Sequence, residues 1–415
     1  MNVRVTATQD TRGPRHPVLG RIRSTVGKAL RAPERVRTAA QRDYIHFLPE
    51  VSSDAELSDL SARVNWYLPE NTKPVYVAGG DRFAIDTQAA PHMDPSYVVD
   101  PGWAARPPRG RATFVYRKIT PGTFARYVRH PLTSEFVDPE FSTLMDSLGW
   151  IHLTKQYSPI DATLGTSGMT RLLETIGGTG KTALVLGTGP SAQEVRDEDL
   201  TADVRIVCNS IVRNTDFLMR VRPNVIVFYD PVFHYGPNRY AAGFRRDLLR
   251  AVELCDAQIV SDAGWGSLLL LHHPELRDRT TILTGSRQSA WRWPTPARPE
   301  VRLGTNVLVS LMLPLALGLA DDVLIGGCDG REPTENYFWT HNESIQYSDE
   351  LMRSVAEAHP GFFRWADYEG HYARHCIEME QIIQAGEAAG KTVRGVTPSW
   401  IPALATRGLA KQATA

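Results

Sequence analysis

Lys181-Thr182-Ala183-Leu184-Val185-Leu186-Gly187-Thr188-Gly189-Pro190-Ser191 is the stretch from which the fold is read. Thr182 to Leu186 form a short apolar run bounded by turn formers, the pattern of a strand buried on both faces. That run passes directly into Gly187, Thr188, Gly189, Pro190 and Ser191, and a polar helix or turn opens near Ala192. Glycines at a strand-to-helix junction let the backbone approach a phosphate, while the free amides of the helix start carry partial positive charge. A purely structural tight turn uses the same residues, so the strand ends downstream decide between the two.

Further strands are expected at 204–207 (VRIV), ending at Cys208-Asn209, and at 225–229 (VIVFY), ending at Asp230-Pro231. Others are expected at 258–261, 281–283, 323–327 and 392–396, the fifth of the series ending at Cys328-Asp329. An apolar helix over 307–319 is opened by Gly304-Thr305-Asn306, and a second helix over 377–389 stops at Gly390. Strands alternating with helices predict an α/β chain, a Rossmann-like, mostly parallel sheet with flanking helices. Ligands of such sheets lie outside the carboxyl ends of the strands, so Asn209, Tyr229, Asp230 and Asp329 are expected on one rim with the glycine turn. Thr305 or Asn306 reads as an N-cap, and an exposed helix start is equally a site for a carboxylate or phosphate.

Working outward, 415 residues exceed one ordinary domain. The division read here is a basic segment (1–42), a small α/β accessory region (43–180), the Rossmann-like domain (181–405) and a short tail (406–415). In the basic segment Val18, Ile22, Val26 and Leu30 recur every fourth residue among arginines. This fits an amphipathic helix in peripheral contact with anionic lipid, or a solvated tail, which the narrow apolar face favours. Strands at 73–80 and 112–118 flank a Pro/Gly/Arg loop at 101–110 in the accessory region. Gly177-Gly178-Thr179-Gly180-Lys181-Thr182 imitates a P-loop, but it precedes a strand where a P-loop comes after one, and Thr175 stands in place of the first glycine.

Lys+Arg and Asp+Glu both number 46, so no whole-chain field argues for nucleic acid. Cys208, Cys255, Cys328 and Cys376 lack paired spacing, which fits reduced thiols and indicates neither a disulfide framework nor a zinc site. The N-terminus has no apolar signal-peptide core, and the longest apolar run, 307–320, is too short to span a bilayer. A cytoplasmic location is therefore expected, on the inner membrane face if the basic segment binds lipid.

The order of motifs carries a resemblance. G-x-G-P-S, Cys-Asn, Phe-Tyr-Asp-Pro, a small polar triplet opening an apolar helix, Gly-x-Asp with a downstream tyrosine, Gly-His and Thr-Pro-Ser occur in sequence across about residues 183–399. This run resembles the bacterial sialyltransferases of glycosyltransferase family 42, and its glycine loop is shared with the related pterin pyrophosphokinase-like superfamily. The resemblance implies a modified GT-A domain and inverting transfer of sialic acid, or a related 2-keto sugar acid, from a CMP-sugar donor to a glycan acceptor. It also implies no obligatory metal and no cofactor beyond the donor. Gly187, Thr188, Gly189, Pro190 and Ser191 would hold the phosphate, Asn209 the ribose, and Gly304, Thr305 and Asn306 would face the sugar carboxylate.

By the same resemblance His371, in Tyr368-Glu369-Gly370-His371, is the base and Tyr337 steadies the leaving phosphate. A neutral imidazole suits proton abstraction, and a phenol can donate to charged phosphate oxygens. His359 and His375 are rival histidines, and Tyr337 reads equally as a packed aromatic beside Phe338 and Trp339. The chain departs from the family pattern at Thr188 (asparagine expected), Arg331 (tyrosine expected) and Asp230 (asparagine expected). Arg331 can neutralise the leaving group as a cation, whereas Asp230 adds negative charge near an anionic donor. The loop 330–341 reads as a water-excluding lid or an ordinary insertion. A Mg²⁺-dependent pterin-type diphosphokinase using Asp230 and Asp329, and a non-catalytic nucleotide-binding module, are the other functional classes the sequence allows.

Overall fold

The computed structural model describes residues 160–236, 238–286, 290–331 and 367–410, with residues 44–51, 66–67, 73–78, 98–99, 112–115, 134–136, 154, 351 and 353. The basic segment 1–42, Tyr337, His359 and most of the loop 330–341 lie outside the described residues.

In the N-terminal region β1 (Tyr44–Val51), β2 (Lys73–Ala78), β3 (Val98–Val99), β4 (Ala112–Val115) and β5 (Ser134–Phe136) form a parallel sheet in the order β3-β2-β1-β4-β5. Two of these strands were expected from sequence; β1 was not, because its Tyr-Ile-His-Phe-Leu-Pro pattern alternates poorly.

Helix α1 (Thr163–Thr175) then leads into β6 (Thr182–Leu186), β7 (Val204–Cys208), α2 (Thr215–Val221), β8 (Val225–Val227), α3 (Arg239–Cys255), β9 (Gln258–Asp262), α4 (Gly266–His272), β10 (Thr280–Ser286) and β11 (Glu300–Arg302). After these come α5 (Leu313–Leu319), β12 (Asp322–Gly326), α6 (Tyr368–Ala388), β13 (Thr392–Ser399), α7 (Pro402–Ala405) and β14 (Gly408–Ala410). The strands form one all-parallel, nine-stranded sheet ordered β11-β10-β9-β8-β7-β6-β12-β13-β14. This is the Rossmann-like α/β arrangement that the alternation of elements predicts.

The sheet is covered on both faces, so its central strands are mostly apolar rather than alternating, with Arg205 the charged member of β7. Ala183, Leu184, Val185 and Leu186 are all fully buried. Leu184 and Leu186 join the core beneath α2, α3 and α4, while Ala183 and Val185 join the core beneath α1, α5 and α6. Leu184, Val185 and Leu186 each contribute about 1.5–3 kcal/mol by leaving water. Met169 and Leu172 of α1 are also fully buried in the second core, so the domain begins well before Lys181, and β14 extends it into the segment expected as tail.

Two helices illustrate how local chemistry sets element bounds. Asn238 caps α3 by accepting from Ala241 N, and buried Tyr240, Phe244, Leu248, Ala251 and Val252 make one apolar stripe. Helix α6 starts more than two turns before the expected Ile377, capped by Asp367, whose side chain accepts from Gly370 N at 2.9 Å. Its buried side begins with a histidine, His375, and the apolar periodicity starts only at Met379.

Trp66 and Tyr67 tie the N-terminal region to this domain. The Trp66 ring stacks on His272 at 3.8 Å, its Nε1 donates to the Tyr235 carbonyl at 2.9 Å, and the Arg245 guanidinium lies 4.4 Å from its centroid.

Candidate functional site

Strands β7 to β11 lie on one side of β6 and β12 to β14 on the other, so the topological switch point falls between β6 and β12. The glycine turn leaves β6 here, and Gly327-Cys328-Asp329 leaves β12 beside it.

The two turns pack against each other. Gly187 N donates to Gly326 O at 2.9 Å and Gly189 N to Gly327 O at 2.8 Å. A Cβ at Gly187 would meet the Gly327 carbonyl, and one at Gly189 would meet the Asp329 carboxylate, which is why both positions require glycine. Ser191 N lies 3.3 Å from both Asp329 carboxylate oxygens, and Ser191 Oγ donates to Asp329 Oδ2 at 2.8 Å. Pro190 has no amide hydrogen. The amides expected to face a phosphate are thus engaged within the protein: those of Gly187 and Gly189 by carbonyls at the end of β12, and that of Ser191 by Asp329, which is 3% exposed. Thr188, half-buried between the two glycines, is the member of the turn left to meet a ligand.

The Thr-Pro-Ser motif braces this arrangement. Thr397 Oγ1 accepts from Gly327 N at 3.0 Å and lies 3.0 Å from Ser191 Oγ, while Ser399 Oγ donates to Cys328 O at 2.7 Å.

Asn209 comes after β7 in the left-handed region, with φ at 49°, and its Oδ1 is buried without a hydrogen-bond partner. Buried acceptors are normally satisfied, so this oxygen is one of the polar atoms on the rim with bonding capacity to spare. Asp230, after β8, caps the turn Pro231–Tyr235: its Oδ1 accepts from Val232 N at 2.8 Å and Phe233 N at 3.0 Å. Burial, reinforced by Asp262 and Asp230, pushes the neighbouring Tyr229 phenol well up. Asp262 at the end of β9 is a further buried strand-end carboxylate that sequence reading missed, and it accepts from Gly264 N at 2.6 Å.

The second cluster joins the turn after β11 to the first turns of α6. Gly304 N donates to Ser310 Oγ, and Asn306 Oδ1 caps the next helical segment by accepting from Leu308 N at 3.0 Å. Thr305 N donates to Glu378 Oε2 at 2.7 Å, so this predicted carboxylate site also holds a carboxylate of the chain itself. Thr305 Oγ1 is buried and unpartnered.

His371 is half-buried and bonded to the Thr305 backbone. Burial and the Arg374 charge lower its pKa, against the opposing effects of the Thr305 bond, Glu378 and Asp367. The net effect disfavours the charged ring. His375, its rival, is a core group: burial pushes it down to about 4, and Asn306 Nδ2 donates to its Nδ1 at 3.2 Å.

Arg331 connects the clusters. Its backbone N donates to Tyr372 Oη at 3.1 Å, its guanidinium stacks on the Tyr372 ring at 5.0 Å, and its Nε is buried without a partner. Tyr372 is the residue after His371, and Arg331 lies two residues beyond Asp329. The glycine turn and α6 belong to opposite layers of the sheet, yet they meet at its carboxyl edge through this pair. Asn209 and Asp230 reach the same edge through strand order.

Among the described residues no group of three or more His, Cys, Asp or Glu is arranged to hold a metal ion, and no helix is long and apolar enough to cross a membrane. Fold and rim define a Rossmann-like α/β protein with a polar edge at its switch point. Compared with protein-family models, curated proteins and solved structures, the chain matches none.

Proposed function

We propose that the chain is an inverting glycosyltransferase that moves sialic acid, or a related 2-keto sugar acid, from a CMP-activated donor to a glycan hydroxyl. The observation that carries this reading is the half-buried imidazole of His371, its charged form disfavoured by burial, on a rim where Asn209 Oδ1, Thr305 Oγ1 and Arg331 Nε are buried without partners. Buried polar atoms are normally satisfied, so three orphans on one sheet edge suit a polar ligand that completes them.

As the acceptor oxygen attacks the anomeric carbon, His371 takes the hydroxyl proton on its unprotonated ring nitrogen. The bond from that carbon to the phosphate oxygen breaks and CMP leaves with the electron pair. Arg331, with Tyr337, balances the charge that gathers on the phosphate. Asn209 would hold the cytidine ribose, and Thr305 and Asn306 would face the sugar carboxylate, with the Thr305 hydroxyl as the available donor.

A Mg²⁺-dependent diphosphokinase would call on Asp230 and Asp329. Both carboxylates are already engaged by backbone amides and, at Asp329, by the Ser191 hydroxyl, which favours the transferase. The test is CMP release from CMP-sialic acid by the full chain, with and without glycan acceptors and in EDTA. Acceptor-stimulated release that persists in EDTA supports transfer; no CMP binding and no release would sink it.

A further inference from the structure

Glu378 and His371 reach the same residue from one face of α6, two turns apart: Glu378 Oε2 takes the Thr305 N–H at 2.7 Å, and His371 is bonded to the Thr305 backbone. With the N–H directed at Glu378, the Thr305 carbonyl is the atom that faces the imidazole. A carbonyl only accepts, so the ring nitrogen facing it must carry the proton, and the other nitrogen is left with its lone pair. The Thr305 backbone therefore selects the tautomer.

It can do so only if the turn 304–306 is held still. Gly304 is bonded through Ser310 Oγ, and Asn306 through Leu308 N and His375 Nδ1, whereas the amide of Thr305 itself rests on Glu378. A Cβ at Gly304 would meet the Glu378 carboxylate, so the glycine admits that side chain to the turn.

We propose that Glu378 is a positioning residue for the base. It grips the Thr305 amide, and through the Thr305 carbonyl it orients His371 and sets which nitrogen accepts the proton. This rests on the transferase reading for the identity of the reaction, but the coupling from Glu378 to His371 does not.

The charges facing His371 are Arg374, Glu378 and Asp367 on its own helix and the Thr305 dipole from the facing turn, with His375 one helical turn along. Glu378→Gln keeps an acceptor oxygen for Thr305 N and removes the negative charge; Glu378→Ala removes both.

The test is an NMR titration of the His371 ring in the full-length wild type, E378Q and E378A, alongside kcat and KM for the CMP-sugar. Expected are a lower His371 pKa in both variants, altered ring nitrogen shifts in E378A only, and a loss of about tenfold or more in kcat for E378A that E378Q largely restores. An unchanged titration and tautomer in E378A, with the fold intact by its amide spectrum, overturns the proposal. Should E378A fail to fold, Glu378→Asp, whose shorter side chain draws the carboxylate back from Thr305 N, takes its place, and ring nitrogen shifts and kcat equal to wild type in that variant overturn the proposal. If the titration shifts while no variant or wild type turns over CMP-sugar, the reaction assignment fails and the coupling stands.

Discussion

The Ser191 hydroxyl donates to the Asp329 carboxylate at 2.8 Å across 138 residues of sequence, tying the turn after β6 to the turn after β12 at the switch point of the sheet. In the predicted phosphate cradle Ser191 thus meets a side chain of the protein, while the Gly187 and Gly189 amides meet the carbonyls of Gly326 and Gly327.

Removing that carboxylate strands buried donors. Asp329→Ala is expected to lower unfolding stability by about 1–3 kcal/mol, because the Ser191 amide and hydroxyl lose their acceptor. Gly189→Ala is expected to cost a similar amount by driving a methyl group into the carboxylate. Urea denaturation of both variants checks this, and wild-type midpoints would show that the contact does not bear on stability.

His371→Ala is expected to abolish transfer while leaving CMP affinity near wild type, since in the proposed mechanism the imidazole acts on the acceptor proton. The sign of the pH dependence comes from its lowered pKa. A base works when deprotonated, so activity should stay level as pH falls through 7 and decline only below the usual histidine range near 6.5. A kcat/KM profile measures the limb directly; an acidic limb above pH 7 would exclude this imidazole as the base.

Two histidines buried in neutral form should make the fold acid-sensitive. Burial pushes His234 down to about 3 and His375 to about 4. In the unfolded chain both titrate near 6.5, so below that value the unfolded state binds protons that the folded state refuses. Their contribution is fully present above about pH 6.5 and is lost as pH falls toward 4, at pH 5 by roughly 2 kcal/mol each. His234→Phe should about halve the change in urea stability between pH 7 and 5. The Asp230 carbonyl keeps the His234 backbone N–H as donor, so little else is disturbed. An unaltered pH dependence would contradict the assignment.

Trp66 should matter to stability despite its distance in sequence from the domain it touches. Trp66→Ala loses the stack on His272, the bond to Tyr235 O and the cover over Arg245. For a half-buried tryptophan a loss of about 2–3 kcal/mol is expected, below the 3–5 kcal/mol of a fully buried aromatic. Calorimetry would detect the change, and an unshifted transition would show that residues 66–67 dock without contributing.

Much of the architecture was readable from short windows. The runs after Lys181, Asp203, Asn224 and Asp321 each became a central strand, because a strand covered on both faces is apolar at most of its positions. The bounds of α6 were not readable: its first turns bury a histidine, which breaks the periodicity, and with them the spacing of His371, Tyr372 and Glu378 went unseen. Tyr372 as the platform for Arg331, Glu378 as the partner of Thr305 and Thr397 as the brace of Gly327 carried no local signal.

Local sequence was enough to establish a parallel α/β sheet, its strand ends and the polar residues on them, since burial and turn formation act over a few neighbouring residues. Which anion sits on each turn is set by the path of the chain in space. Asp329 and Glu378 arrive from 138 and 73 residues away, and an amide attracts an internal carboxylate and a ligand phosphate by the same electrostatics. No pattern at Gly187–Ser191 or Gly304–Asn306 distinguishes the two, so only the packing of β12 and α6 against those turns settles the matter.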